Sequence, residues 1–252
     1  MSKVYINVYI LLKNKINSQK NVLKHLKKKQ KLYIIILNRF IVECAMKKEF
    51  VFKIFSNMPT LQTERLSLRP MHPIDAEDMF DYARRPEVTK YLLWREHEDI
   101  GYTRDYLNYI SNRYALGNFY DWAVIEHDSR RMIGTCGFTK IDTVNNVAEI
   151  GYVLNPDFHR KGFGSEAVKR ILQFGFEELG VNRIEARFML GNEASLALMK
   201  SVGMTFEGYL RDLLFVKGEY KTIGISSILR YEYERMYKFC DIEQREADNE
   251  KN

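Results

Sequence analysis

Cysteine is scarce in this chain. The three in 252 residues, Cys44, Cys136 and Cys240, lie far apart and are odd in number, so they form neither a disulfide framework nor a metal-binding pair. A reducing compartment, the cytoplasm, is therefore expected. The five histidines show no HxxxH spacing and no CxxC companion, and no metal site is expected. Long apolar runs are missing as well. The longest uninterrupted one, residues 32–37, is far short of the ~20 residues that a membrane span needs. The apolar run at residues 4–12 is followed by lysine-rich sequence rather than by a small-residue cleavage site, a poor match to a secretory signal. No internal repeat is visible, which argues against solenoid and propeller architectures.

The chain does contain enough apolar sequence, 46% of residues, to bury the core of one sizeable domain. Its net charge of +6 is unevenly spread. Residues 1–57 hold 13 of the 39 bases and 2 of the 33 acids, so the remainder is mildly acidic. This segment is rich in Ile, Lys, Asn, Tyr and Phe, the residues of AT-rich codons. It reads either as upstream sequence or a disordered extension, with Met46 and Met58 as alternative starts, or as a basic arm. Its lysine cluster at residues 20–31 is the one feature expected to touch nucleic acid or an anionic membrane surface. Residues 58–233 form the expected domain, and 234–252 a charged tail, with fraying expected from Glu232 onward.

Within the domain, apolar and polar residues alternate over 63–70, as in a strand. Asp75 suits the N-cap of a helix that carries Ala76, Met79, Phe80, Tyr82 and Ala83 on one side. A second helix is predicted over about 100–114. Strand patterns follow at 121–126, 132–140 and 147–154, the first two joined by a turn-like His127-Asp128-Ser129. A strand at 183–189, a helix at 192–201 and strands at about 205–215 and 220–231 complete the chain. The order predicts an α/β (α+β) domain with a mixed central sheet of about seven strands flanked by helices. An antiparallel meander leads into a βαβ unit.

The most informative stretch is His159-Arg160-Lys161-Gly162-Phe163-Gly164-Ser165-Glu166-Ala167. It joins the strand ending near Asn155-Pro156-Asp157 to a helix predicted over 167–179. A basic, glycine-containing turn at this place is an anion-binding device. Glycine lets the backbone approach a ligand, the first N–H groups of the helix have no partner within it, and the helix dipole adds positive charge. A phosphate or pyrophosphate is the expected ligand. No full GxGxxG is present, and the turn lies deep in the chain, unlike a Rossmann dinucleotide site.

Four segments in order, over about 170 residues, resemble the GNAT acyltransferase superfamily, and within it the ribosomal-protein alanine N-acetyltransferase branch. They are residues 61–69 (LQTERLSLR), 148–154 (AEIGYVL), 161–167 (KGFGSEA), and 192–195 (NEAS) leading to 201–204 (SVGM) and 207–212 (EGYLRD). The resemblance implies a GNAT acyl-CoA N-acyltransferase fold and transfer of acetyl from acetyl-CoA to a primary amine, without a metal. The amine it implies is the N-terminal alanine or serine of a protein such as a ribosomal protein. A small amine, an antibiotic, and a non-catalytic acyl-CoA- or RNA-binding module are the alternatives, and the assembly is a monomer or a homodimer.

The resemblance also implies site residues. The backbone of Arg160, Lys161, Gly162, Phe163, Gly164 and Ser165 would hold the pyrophosphate, and Lys161 would add a point charge. A backbone N–H near Tyr152, Val153 and Leu154 would polarise the thioester carbonyl, in a splay between strands 147–154 and 183–189. Asn192 would bond CoA or cap its helix, and Ser195 would donate to the leaving thiolate. Glu149 is the expected base, its pKa raised by an apolar strand. Glu185 and Asp212 stand behind it, and Glu64 and Arg65 are expected toward the acceptor. Many superfamily members carry a tyrosine general acid where this chain has Met199, and some relatives in the branch carry a carboxylate where it has Leu214.

Overall fold

The computed structural model describes residues 47–238. The chain divides into two compact units, Met1–Glu49 and Phe50–Asn252, and the account below concerns the second. The lysine cluster at residues 20–31, Cys44, Cys240 and the tail beyond residue 238 lie outside the described residues.

Alternating sequence builds one eight-stranded sheet. Its strands are β1 (Leu61–Gln62), β2 (Leu66–Arg69), β3 (Tyr120–Glu126), β4 (Met132–Asp142), β5 (Val147–Leu154), β6 (Arg183–Met189), β7 (Thr205–Val216) and β8 (Glu219–Leu229). They lie side by side in the order β1-β2-β3-β4-β5-β6-β8-β7. The pair β5–β6 is parallel, and every other neighbouring pair is antiparallel. The eighth strand comes from the opening segment, which folds back on itself. The Thr63 N–H bonds the Leu66 carbonyl at 2.9 Å, and Leu61 pairs with Leu68. Alternation continues through such a tight reversal and so does not reveal it.

Helices cover both faces. Against one lie α5 (Phe163–Gln173) and α6 (Glu193–Ser201), whose Val168, Ile171 and Met199 meet Leu68, Trp122, Phe138 and Ile150 of the sheet. Against the other lie α2 (Ala76–Ala83) and α4 (Ile100–Ala115), whose Met79, Tyr82, Leu107 and Ile110 meet Ala123 and Met132. The short helices α3 (Pro86–Thr89) and α7 (Arg230–Tyr233) complete this set.

Three expectations shift. Asp75 precedes α2, but its carboxylate makes no cap bond there; it accepts from Arg69 at 2.8 and 2.6 Å and from the His72 N–H at 2.8 Å. The helix expected from Ala167 begins a turn earlier, at Phe163, so the glycine-containing segment is its first turn. The chain past Glu232 does not fray within the described residues, because Tyr233 is 4% exposed and stacks on Phe176 at 4.8 Å.

A helix, α1, occupies residues 50–55 of this unit and brings Val51 and Phe55 into the main core. Phe55 is fully buried, with edge contacts to Tyr120 at 4.6 Å, Trp122 at 5.7 Å and Phe174 at 6.2 Å. The domain boundary expected at 57/58 thus falls after residues that are already packed. Phe55→Ala should destabilise the protein by about 3–5 kcal/mol in denaturant titration, the usual cost of emptying a buried aromatic site. A chain beginning at Met58 should lose at least as much. Unchanged stability in both would show that α1 is not part of the cooperative unit.

Candidate active site

Residue pairs join β5 to β6 from Val147↔Arg183 to Ile150↔Ala186 and no further. Beyond that point β5 stays bonded to β4 as far as Leu154↔Gly134, and β6 to β8 as far as Met189↔Ile223. The two parallel strands therefore diverge. Residues 151–154 present an edge that β6 does not pair, and backbone groups on such an edge need another partner. The expected splay between these strands is present.

The turn expected to bind an anion, called the anion turn below, lies beyond the end of β5. Arg160 and Gly162 both take left-handed backbone, at φ 60° and 84°, and Gly162 is the N-cap of α5. The Glu166 N–H bonds the Gly162 carbonyl at 3.0 Å, so the N–H groups of Phe163, Gly164 and Ser165 precede the first bond of the helix. Side chains from elsewhere brace this turn. Glu166, one turn in, would repel an anion if it stood alone. Its carboxylate instead accepts from the Thr63 hydroxyl at 2.6 Å, the Arg65 N–H at 2.9 Å and Arg65 Nε at 2.7 Å. Burial pushes the Glu166 carboxyl up, and those hydrogen bonds more than offset it, leaving it below its ordinary value. Arg65 also donates to the Lys161 carbonyl at 3.0 Å, and its guanidinium lies 4.6 Å from the centre of the Phe163 ring. At the other end Arg85 grips Asp157 with two bonds of 2.9 Å. Arg65 was expected toward the acceptor; the structure puts it under the anion turn. The Ser165 hydroxyl lies 3.1 Å from that of Ser201, and Lys161 Nζ 5.1 Å from the Phe158 ring.

A cavity of about 430 Å³ runs from the divergence toward α2 and α4. Glu149, Tyr152, Val153, Asn192 and Ser195 line it, and of the expected site residues these are the ones brought together there. The Tyr152 and Ser195 hydroxyls are 2.8 Å apart. Burial pushes the Tyr152 phenol well above its ordinary value, so it stays protonated at neutral pH. Asn192 caps α6 by accepting the Ser195 N–H at 3.2 Å. Glu149 is not enclosed by apolar groups as expected. It pairs with Arg187 at 3.0 Å and accepts from the Thr139 hydroxyl at 2.9 Å. Glu185 bonds Arg183 at 2.8 Å, within the same charged row. Met199 is 1% exposed in the core, while Leu214 lines the cavity.

Several lining residues had no signal in the sequence. Tyr82, Tyr91, Trp94, His97, Tyr102 and Tyr106 make an aromatic wall opposite the divergence. His97 is 7% exposed, bonds Thr103 at 2.8 Å, and is lowered from its ordinary value by burial. Asp121 and Thr135 line the cavity from β3 and β4. Among the described residues no His, Cys, Asp and Glu cluster could hold a metal, and no helix is long and apolar enough to cross a membrane.

Comparison with known proteins gives the class to which this arrangement, a glycine-capped helix start beside a parting of parallel strands, belongs. The acetyltransferase (GNAT) domain model matches residues 65–205. The chain is 40% identical over 176 residues to the uncharacterised N-acetyltransferase p20 of Bacillus licheniformis, covering 70% of this chain and 99% of that one. It is 25% identical over 175 residues to the [ribosomal protein uS5]-alanine N-acetyltransferase of Escherichia coli, covering 66% and 89%. A crystal structure of a GNAT-family acetyltransferase from Bacillus anthracis superposes with a TM-score of 0.61 at 28% identity, covering 69% and 99%. The chain belongs to the GNAT acetyltransferase family, whose enzymes transfer acetyl from acetyl-CoA.

The residues present suit such a donor. Gly162 holds a left-handed φ of 84° that a side chain would strain, and a Cβ there would press on the Arg65 guanidinium at 3.2 Å, so Arg65 and the shape of this turn are linked. Arg65→Ala should therefore weaken CoA binding on the order of tenfold in calorimetry, since a hydrogen bond to a charged group is worth ~1.5–3 kcal/mol. An unchanged affinity would mean that the turn keeps its shape without Arg65.

Proposed function

We propose that this enzyme acetylates the N-terminal amine of a protein in the cytoplasm, an alanine or serine terminus such as that of a ribosomal protein. The observation that carries this reading is the two-ended cavity. One end meets the diverging strands; the other reaches Leu93 and Tyr102, which are 67% and 56% exposed. A polypeptide continuing beyond its amino end can run out along that exposed surface. The naming of the Escherichia coli relative after an N-terminal alanine acceptor supports the same class.

In this reading the thioester of acetyl-CoA supplies the acetyl group. The N–H groups at Arg160, Lys161, Gly162, Phe163, Gly164 and Ser165 bind the pyrophosphate, helped by the dipole of α5. The unpaired edge at Tyr152, Val153 and Leu154 turns an N–H toward the carbonyl oxygen, a donor typically worth ~3–4 kcal/mol to the transition state. Asn192 uses its amide nitrogen for CoA while its oxygen caps α6. Ser195, bonded to the Tyr152 hydroxyl, passes a proton to the departing sulfur. Glu149 attracts and orients the ammonium form of the acceptor, its carboxylate held in line by Arg187 and Thr139.

Acetyl-CoA turnover, read as thiol release, tests this with Ala- and Ser-initiated peptides beside spermidine. Peptides should be preferred. Ser195→Ala should lower kcat by ~100-fold, the ordinary size for acid–base assistance. Glu149→Gln should raise the acceptor KM on the order of tenfold. A preference for spermidine would replace the protein acceptor by a small amine. CoA binding without release from any acceptor would leave a binding module.

A further inference from the structure

The cavity holds a second carboxylate, and its surroundings differ from those of Glu149. Asp121 on β3 stands opposite Gly137 on β4, which stands opposite Gly151 on β5, the first residue past the paired stretch of β5 and β6. Directly paired residues share a face, and two strand spacings amount to roughly 10 Å. Two of the three positions in this row are glycine. A Cβ on Gly137 would come within 2.8 Å of Asp121 Oδ1, and one on Gly151 within 2.7 Å of Thr139 Cγ2. The Asp121 carboxylate thus lies over Gly137, and the Thr139 methyl over Gly151.

No lysine or arginine among the described residues pairs with Asp121. Its Oδ1 accepts the Trp122 N–H at 3.1 Å, and Tyr114 donates to its backbone carbonyl at 2.6 Å. The titratable groups around it are Tyr82 from α2, Tyr106 and Tyr114 from α4, and Cys136 from β4. Burial raises all four, so they are neutral near pH 7. Thr135 adds a hydroxyl beside the carboxyl, and His97, Glu149 and Arg187 line the same cavity. Tyr82, 1% exposed, also lines it, and its hydroxyl has no hydrogen-bond partner within the protein. The Asp121 carboxylate, which lines the cavity with no cation beside it, is an acceptor for a group rich in N–H, which an ammonium is.

We propose that Asp121 takes the proton from the acceptor's ammonium end within the cavity. This rests on the amine-acetylating reading above. The ammonium gives one proton to the Asp121 carboxylate and becomes the neutral amine. The nitrogen lone pair forms the C–N bond as the C–S bond breaks. The nitrogen gives its second proton to the Ser195–Tyr152 hydroxyl pair as that pair gives one to the sulfur, so the pair is restored and the count balances. Asp121 then releases its proton to solvent. Enclosure pushes the Asp121 carboxyl up to about 7, with Thr135 and the Trp122 N–H pulling it partly back, which suits exchange with an α-amine of ordinary pKa ~7.7–8.0. Two carboxylates in one cavity with opposite surroundings, Glu149 beside a guanidinium and Asp121 without one, take different tasks.

The test uses the full chain and Asp121→Asn, with an Ala-initiated peptide and acetyl-CoA, from about pH 5 to about pH 9. The wild type should lose activity as the pH falls through about 7. The variant should be at least ~100-fold slower above that pH and lack this inflection, with CoA affinity unchanged. The acceptor's own ionisation appears in both profiles and cancels in their ratio. Melting gives a readout independent of turnover. The folded pKa lies above the unfolded one, so the ionised carboxylate destabilises the fold above about pH 7, and this cost is lost as the pH falls. Asp121→Asn should therefore raise Tm above pH 7 and raise it less at pH 5. Wild-type turnover with a normal rate in Asp121→Asn would overturn the assignment of Asp121 alone. No wild-type turnover with any amine would overturn the acetyl-transfer reading, and this assignment with it.

Discussion

The site depends on two parallel strands that pair and then part. Between Val147↔Arg183 and Ile150↔Ala186, β5 and β6 are bonded; past them each strand keeps only its outer neighbour. Because β4 and β8 hold those outer edges, the divergence costs no strand its place in the sheet. It opens a slot at the centre of the domain, with backbone donors and acceptors along one wall. The α5 helix connects these same two strands, so its N-terminus must begin near the end of β5. The crossover that makes a parallel pair possible thereby brings the anion turn to the slot.

Electrostatic order then assigns work to side chains. A first-turn glutamate is favourable to a helix but unfavourable to an anion at the same place. Glu166 is compatible with both because Thr63 and Arg65, from the turn between β1 and β2, take up its charge. The same Arg65 holds the Lys161 carbonyl, so the shape of the turn and the charge at its base are set by one side chain. In the cavity the rule is reversed: Glu149 has a guanidinium beside it, and Asp121 has burial and neutral hydroxyls.

Much of this was legible in the sequence, for reasons that differ by element. Strands 147–154 and 183–189 came out with their observed bounds because buried apolar residues alternate with others along them, Ala148 and Ile150 in one and Ile184, Ala186 and Phe188 in the other. The anion turn was readable because it needs glycine where the backbone turns left-handed, as Gly162 does. Asp121 was not readable. It precedes a buried tryptophan in an ordinary strand pattern, and its meaning comes from Gly137 and Gly151, 16 and 14 residues further on in succession. Glu149 was singled out, but its partner Arg187 sits on another strand, and with that partner the argument from apolar burial fails.

The sequence by itself determined the class of the protein: a mixed sheet, a glycine-bearing helix start, and the order of segments shared with the GNAT family. These are local properties, carried by residue type and spacing along the chain. Tertiary structure alone decided where the paired strands part, that Arg65 serves the anion turn, that Phe55 belongs to the core, and which carboxylate stands without a cation. Each of those depends on register between strands far apart in sequence, and register decides which charges meet and which are left alone.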